Sequence, residues 1–402
     1  MINVSFYGWK IVAALFVVLL FSSGLGFYNH AIIVQALGDD PRFSIEAASF
    51  AVSIFFFVSG LAGLVIAPVM EKIDIRWIMT GGAALAAASL VLLGRVDNML
   101  QLYLVYSVFG IGYCFTSILP STTLIARWFM VQRARALSIA STGLSVGGMV
   151  VTPVSATLVE QFGFAAAMNW LALLFFFGVV PVTLLLIRSS PAHLGLEPDG
   201  EVTGNPADLD GLSFSEATTQ HFFWAMSCAF VLIMLAQVGG IAHQFGILSE
   251  RLTVAEAAVG IAILPAFSIA GRLLGAFILD YFATLRFAMV MILLQAVALL
   301  LIAGAESVYL MYLGFALFGG SVGNLLMLHP LIIAEFYGLK HYSRLFAWSN
   351  MIMLCGVAAG PGVMGWLYGY TGSYTSSYRV AGALCLAACV VFFLMRPPAQ
   401  KA

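Results

Sequence analysis

Charged residues are scarce in this sequence. Only 9% of its 402 residues are Asp, Glu, Lys or Arg, whereas 62% are hydrophobic; a soluble domain carries roughly 25% charged residues. A chain with so few charges cannot cover its folded surface with hydrated side chains. The composition therefore excludes an ordinary water-soluble protein and predicts that lipid surrounds much of the chain.

Further absences narrow the functional class. The 17 Lys and Arg residues are balanced by 18 Asp and Glu residues, so no basic excess indicates binding to nucleic acid. The five cysteines are odd in number and form no CxxC pair, which argues against a disulfide framework or a zinc site. No HExxH, paired intramembrane carboxylates or GxSxG motif occurs. We therefore expect no enzyme, no metal and no cofactor.

Long apolar runs are abundant instead. A bilayer core about 30 Å thick needs roughly 20 apolar residues per helix, and runs of this length recur between short polar breaks. The first run is too long for a signal peptide. We predict an all-α membrane protein with twelve spans, at approximately 11–36, 46–69, 78–95, 100–125, 136–160, 165–188, 221–248, 255–279, 287–304, 307–334, 345–369 and 378–396.

The basic residues predict the orientation of these spans. With both termini in the cytoplasm, twelve of the seventeen basic residues lie at inside ends and loops and four lie outside; the remaining one, Arg272, falls within a span. Cytoplasmic loops carry an excess of Lys and Arg. We therefore expect a multi-pass protein of the cell inner membrane with both termini cytoplasmic.

One polar break is much longer than the others. Residues 189–220 contain six acidic residues, several Pro and Gly, and no Lys or Arg, which is typical of a solvated tether. We predict an N-terminal six-helix half at 1–188, a cytoplasmic linker at 189–220 and a C-terminal six-helix half at 221–402. Ser213, followed by Glu216, has capping-box spacing and predicts a short helix there.

The two halves repeat at a constant offset of 209 residues. The offset matches these pairs: Glu71 and Asp280, Arg135 and Arg344, Gly147 and Gly356, Gly163 and Gly372. Two parallel six-helix repeats are typical of a transporter class that binds substrate between the halves near the membrane midplane.

Several motifs carry a family resemblance. The segment from Ala67 to Arg76 resembles the loop motif of the major facilitator superfamily, and residues 276–286 resemble its second copy. Arg127-Trp128-Phe129, followed by Arg133 and spaced small residues, resembles the fifth-helix signature of the monocarboxylate transporter and oxalate/formate antiporter families. Residues 6–9 and 191–200 are similar to further segments of these families. The resemblance implies the major facilitator fold, with twelve helices in two six-helix bundles.

Arg272 is the most informative single residue. An arginine within a span costs roughly 2.5–3.5 kcal/mol on the insertion scale, so some interaction must offset that cost. The resemblance implies a substrate-binding arginine at this point, with Ser268 where mammalian relatives carry an acidic partner. The alternative is an arginine that reaches the cytoplasmic face or pairs with Asp280.

Other polar residues within spans are candidate substrate contacts, each with interhelical packing as the alternative. They are Tyr28, Asn29, His30, Tyr113, His243, Asn324, Trp348 and Asn350. His329 also lies in an apolar span, and histidine is the titratable side chain that suits proton coupling near neutral pH.

Charged residues near the cytoplasmic helix ends are candidate gating salt bridges. They are Glu71, Lys72, Arg76, Arg133, Arg135, Asp280, Glu335 and Arg344. Such pairs can hold one access state closed and break on opening. The alternative is that the basic ones serve only as topology signals.

Together these features predict a secondary active transporter of small monocarboxylates or related organic anions that works by alternating access. Proton coupling and exchange both remain open. We expect a small organic anion, with or without protons, and the lipid bilayer as its partners, no nucleic acid, and a monomeric state. The alternative is an exporter of aromatic or amphipathic small molecules.

Overall fold

The computed structural model describes residues 6–199, 211–279, 281–338 and 341–395. Within these ranges the structure is helical, apart from turns and one isolated bridge between Gly211 and Gly338. Twelve helical segments there are long and apolar enough to cross a membrane. The predicted fold class and number of spans are therefore confirmed. The chain divides into two compact units, Met1–Thr203 and Gly204–Ala402.

Six spans belong to the first unit. Span one consists of α1 (Gly8–Ser23), a π-helical turn (Gly24–Tyr28) and α2 (His30–Gly38), and span four consists of α5 (Met99–Thr116) and α6 (Ile118–Trp128). The other spans are α3 (Ile45–Lys72), α4 (Ile75–Leu93), α7 (Arg133–Phe162) and α8 (Phe164–Leu186).

The second unit repeats this order. It begins with a short helix, α9 (Phe214–Thr219), and its first span consists of α10 (His221–Ala242) and α11 (Gln244–Ser249). The remaining spans are α12 (Val254–Leu279), α13 (Thr284–Gly304), α14 (Val308–Tyr337), α15 (Tyr342–Thr371) and α16 (Tyr374–Leu394).

The same helix pairs form the core of each unit. In the first unit α1 packs on α7 and α8, α5 packs on α3 and α4, and α4 packs on α8. The equivalent pairs recur in the second unit: α10 with α15 and α16, α14 with α12 and α13, and α13 with α16. The offset of 209 is retained at the fifth helix of each unit, since α7 and α15 start and end 209 residues apart. Each ends at a glycine with positive φ, Gly163 or Gly372, a conformation that other residues rarely adopt.

Pairs of glycines let the first and fifth helices of each unit cross closely. In the first unit a Cβ on Gly143 or Gly147 would collide with the carbonyl of Phe16 or Leu20. In the second unit Gly356 and Gly360 meet the carbonyls of Val231 and Leu235 in the same way. Because each pair is spaced by four residues, both glycines of a pair lie on one helix face.

This crossing shifts by one turn between the two units. Gly147 lies beside the amide nitrogen of Gly24, and Gly360, not Gly356, lies beside that of Gly239. Gly147 and Gly356 are therefore equivalent along their helices but not in the crossing they form. The offset of 209 residues could not predict this shift. Each fifth helix has two glycines four residues apart, and spacing alone does not show which of them contacts the first helix at the equivalent point.

Candidate functional site

The first span breaks in the middle. The N–H of Asn29 donates to the carbonyl of Gly24 at 3.1 Å, five residues back, which is the hydrogen bond of a π-turn. Such turns insert one extra residue per turn and occur frequently at functional sites. The ring of Tyr113 packs where a Cβ on Gly26 would lie, and the ring of Tyr28 packs in the same way against Gly148. These two glycines therefore let aromatic rings lie directly on the helix backbones at the break.

Two adjacent polar side chains at this break are fully buried. Neither amide atom of Asn29 has a hydrogen-bond partner among the described residues. The ring of His30 faces the backbone of Gly26 but forms no hydrogen bond of normal geometry with the described residues. The centroid of the His30 ring lies 4.5 Å from that of Phe55 and 5.7 Å from that of Tyr106. The hydroxyl of Tyr106 also has no hydrogen-bond partner among the described residues. Unpaired buried polar atoms are costly, at about 1–3 kcal/mol each. A ligand that forms hydrogen bonds with these unpaired polar atoms would therefore be bound favourably at the break.

The first span of the second unit also breaks at a histidine. His243 lies between α10 and α11, and its Nε2 donates to the carbonyl of Pro361 at 3.0 Å, because a carbonyl can only accept. In the described structure its Nδ1 and both amide atoms of the neighbouring Gln244 are buried without a partner. Gln244 is the polar neighbour of His243 in the sequence but was not among the predicted substrate contacts, although an amide directly after a histidine inside an apolar run is a signal for a polar site.

Arg272 lies where α12 crosses α14. It is half-buried, it falls within the apolar segment Ala255–Gly275, and its Nε donates to the carbonyl of Gly323 at 3.4 Å. The side chain of Asn324 donates to the carbonyls of Gly271 and Gly320, at 2.9 Å each.

Ser268 lies one turn before Arg272 at the same crossing. Its hydroxyl is buried, has no hydrogen-bond partner in the described residues, and would lie 3.1 Å from a Cβ on Gly323. The structure thus brings together Arg272, Ser268 and Asn324 on two neighbouring helices of one unit. A guanidinium and a hydroxyl can together donate hydrogen bonds to a carboxylate, whereas both N–H groups of Asn324 are taken up by backbone carbonyls and hold the crossing together.

His329 belongs to a different arrangement. Its Nε2 lies 2.7 Å from the hydroxyl of Ser349, which lies 2.8 Å from that of Ser227. Ser227 donates to the carbonyl of Phe223 at 2.8 Å, so Ser349 must donate to Ser227, and His329 to Ser349. Each hydroxyl has one proton to give. This buried chain joins α10, α14 and α15.

The remaining predicted contacts lie on α15. Asn350 is half-buried, whereas Trp348 is 49% exposed and its ring lies 6.2 Å from Phe214 of α9. Both stay predictions as substrate contacts.

The predicted gating residues are only partly described. The side chains of Glu71 and Arg133, and residue Asp280, lie outside the described part of the chain. Arg76 approaches Asp74 at 3.7 Å and stacks on the ring of Trp77, and Arg344 lies 4.0 Å above the ring of Phe214. Lys72, Arg135 and Glu335 are exposed. The role of these charges in gating stays a prediction.

An open pocket of about 780 Å³ lies at the end of α13 and is lined by Arg251 and Arg379. Arg251 has a structural role there. Arg251 donates to the carbonyls of Ile302, Ala303 and Ala305 and to the hydroxyl of Thr375. It therefore satisfies the last carbonyls of α13, which lack partners inside the helix. No group of three His, Cys, Asp or Glu side chains that could hold a metal occurs in the described ranges.

Twelve apolar spans in two repeated units, with polar side chains buried at helix breaks and crossings, define a polytopic membrane carrier. The family model of the Major Facilitator Superfamily matches residues 14–323 and 238–402. The chain belongs to this superfamily, and it is accordingly a transporter and not an enzyme.

Individual relatives are distant. An MFS-type transporter of Gibberella moniliformis (strain M3125 / FGSC 7600) is 24% identical over 363 residues, covering 88% of this chain and 83% of that protein. Monocarboxylate transporter 12 of Xenopus laevis is 23% identical over 326 residues, covering 75% and 70%. The chain thus resembles the monocarboxylate transporters, as the motifs predicted.

A solved structure supports the fold. The crystal structure of a bacterial homologue of the human lysosomal transporter Spinster, in an inward-facing and occupied conformation, matches with a TM-score of 0.74 over 96% of both chains. The sequence identity is 17%, so this likeness concerns the fold alone.

Proposed function

We propose that this transporter carries small monocarboxylates or related organic anions, with Arg272 as the residue that binds the carboxylate. The observation that carries the proposal is a guanidinium inside an apolar span, beside the neutral polar side chains of Ser268 and Asn324. Arginine suits this role because it stays charged and can form two parallel hydrogen bonds to one carboxylate.

The break in span one supplies a second set of candidate contacts. Asn29 and His30 carry buried polar atoms without partners among the described residues, so an uncharged oxygen of a substrate could satisfy them. We further propose that transport proceeds by alternating access, coupled to protons or to exchange, in the cell inner membrane with both termini cytoplasmic. The resemblance to monocarboxylate transporters supports the substrate class.

A thermal-shift screen of the purified protein tests the proposal. Lactate, pyruvate, formate, oxalate and aromatic acids are compared with the corresponding amides, which lack the negative charge. We expect acids to stabilise the protein and amides not to do so, since a ligand stabilises the state that it binds. Stabilisation that does not depend on a carboxylate would contradict the proposal and favour an exporter of aromatic or amphipathic compounds.

Substitution of Arg272 identifies the binding residue. Arg272→Ala removes about 2–4 kcal/mol of charge-assisted hydrogen bonding, so acid affinity should fall roughly 30- to 1,000-fold. Arg272→Lys keeps the charge but loses the paired geometry, and should retain intermediate affinity. Arg286→Ala is the matched control, since Arg286 is exposed at the start of α13. Unchanged uptake by Arg272→Ala in proteoliposomes would refute its role.

A further inference from the structure

The segment after span six is fastened to the loop before α7. The carboxylate of Asp199 accepts hydrogen bonds from the backbone N–H groups of Met130, Val131 and Gln132, the last at 3.0 Å. The backbone of Asp199 also donates to the carbonyl of Trp128 at 3.3 Å and accepts from Val131. One aspartate therefore holds every N–H of the three residues that precede α7, where a negative charge also suits the positive end of the helix.

A second contact fastens the start of the same segment. The hydroxyl of Ser189 donates to the carboxylate of Asp74 at 2.6 Å and accepts from the N–H of Ile75 at 2.7 Å. Burial raises the pKa of Asp74, but the hydrogen bonds from Ser189 and from the N–H of Arg76, together with the nearby charges of Arg76 and His193, hold the pKa below its ordinary value. Residues 189–199 thus bind both the loop before α4 and the loop before α7.

The other end of the linker is fastened in the second unit. The N–H of Leu212 donates to the carbonyl of Tyr337 at 3.0 Å, and Gly211 forms an antiparallel bridge with Gly338. Ser213 and Glu216 then form the predicted capping box at the start of α9, which confirms that prediction. These contacts tie the linker to the loop that precedes α15.

The two fastening points are equivalent in the internal repeat. Trp128 and Tyr337 are 209 residues apart, and each is the last residue of the helix before the fifth span of its unit. Asp199 reaches the first carbonyl from one end of the linker, and Leu212 reaches the second from the other end. A plain tether would have no reason to meet both units at the same repeat position, so the symmetry indicates a shared mechanical role.

We propose that Asp199 is a positioning residue for transport. Together with Leu212 it attaches the linker at the starts of α7 and α15, so that the linker constrains the positions of these two helices. Without these two anchors the linker would be attached to the first unit only through α8 and the contact of Ser189 with the loop before α4, and to the second unit through α9 at the start of α10. The linker is then attached beside α7 and α15, which are also the helices that cross the first helix of each unit closely through glycines. The inference does not depend on the identity of the substrate.

The test combines a local and a global measurement on the full chain. Hydrogen–deuterium exchange reports whether the amides of Met130, Val131 and Gln132 are held, and Asp199→Ala should speed their exchange about tenfold or more. Electron paramagnetic resonance measures the distance distribution between spin labels on cysteines placed at Ser138 and Ala347, in a background without the five native cysteines. Both positions are exposed and 209 residues apart.

Asp199→Ala should shift or broaden that distance distribution, and Asp199→Asn should do so to a smaller degree. Glu197→Ala is the matched control, because Glu197 is an exposed acid two residues earlier in the same segment. Faster exchange with an unchanged distance distribution would make the anchor merely local and overturn the proposal. Unchanged exchange would overturn the anchor itself.

A second pair of variants tests the other anchor and keeps the proposal testable if Asp199→Ala does not fold. Leu212→Pro removes the N–H that donates to Tyr337, whereas Leu212→Ala keeps it. The proposal requires the proline variant to alter the distance distribution and the alanine variant to leave it close to that of the parent protein. Equal behaviour of the two variants would contradict it.

Discussion

Buried polar residues in this transporter divide into those that link helices by hydrogen bonds and those whose side chains have no partner. Gln295 donates to the carbonyl of Ile233 at 3.2 Å and to the sulfur of Cys385, and so joins three helices of one unit, although its Oε1 has no partner among the described residues. Asn29 is equally buried but has no partner for either amide atom among the described residues. The first pattern belongs to the fold, and the second is typical of groups retained for a ligand at a cost in stability.

Asn29→Leu separates these two roles. Leucine has a similar volume and removes two unpaired polar atoms, so the thermal stability of the purified protein should stay equal or rise. Binding of the transported acid should become weaker if Asn29 contacts it. Gln295→Leu is the control and should lower the unfolding temperature, because it breaks an interhelical hydrogen bond. A fall in the stability of Asn29→Leu comparable to that of the control would assign Asn29 to the fold.

The sequence predicts the number of spans and some of the candidate site residues, but it does not predict which residues contact one another across helices. Span number followed from run length and hydropathy, which are local properties. At the break in span one the rings of Tyr113 and Tyr28 pack against Gly26 and Gly148, and the partners of Tyr28 and Asp199 lie far along the chain, where local sequence cannot indicate them. Arg272 could be selected as a candidate from its charge within a span, but its proximity to Asn324 required the crossing of α12 and α14.

Helix crossings set how the elements of each unit fit together. Gly147 meets the carbonyl of Leu20 and the amide of Gly24, and Gly360 meets the equivalent atoms of Leu235 and Gly239. Close approach of this kind is how helices associate in lipid, where the hydrophobic effect does not favour one apolar contact over another.

Gly147→Leu should therefore destabilise the first unit. A leucine side chain would force α1 and α7 apart, and overpacking of this kind costs about 1–3 kcal/mol or more. Gly81→Leu is the control, since a Cβ there meets nothing within 4 Å. Thermal unfolding in detergent should show a clear loss for Gly147→Leu and little change for Gly81→Leu. Similar unfolding temperatures would mean that the crossing tolerates a wider separation.

At the scale of the whole molecule, exposed apolar side chains match the bilayer. Val65, Phe177 and Val290 are 69%, 65% and 57% exposed, and all lie within predicted spans. Such residues would promote aggregation of a soluble protein, whereas acyl chains accommodate them in a membrane.

The orientation that the basic residues predict can be measured. Alkaline phosphatase fused after Asp97 should be active, because that loop is predicted to lie outside the cytoplasm. Fusion after Ala402 should give an inactive phosphatase, and green fluorescent protein at the same point should fluoresce. Active phosphatase at the C-terminus would reverse the predicted topology.

The anchoring of Asp199 bears on how the polypeptide can be divided. A break in the chain placed directly after α8 would remove from the first unit the residue that holds the loop before α7. A break between Gly200 and Asp210 would leave each unit with its own fastening. Co-expression of the two repeats as separate polypeptides should therefore place the cut there, so that each fragment keeps the contacts that define its fifth helix.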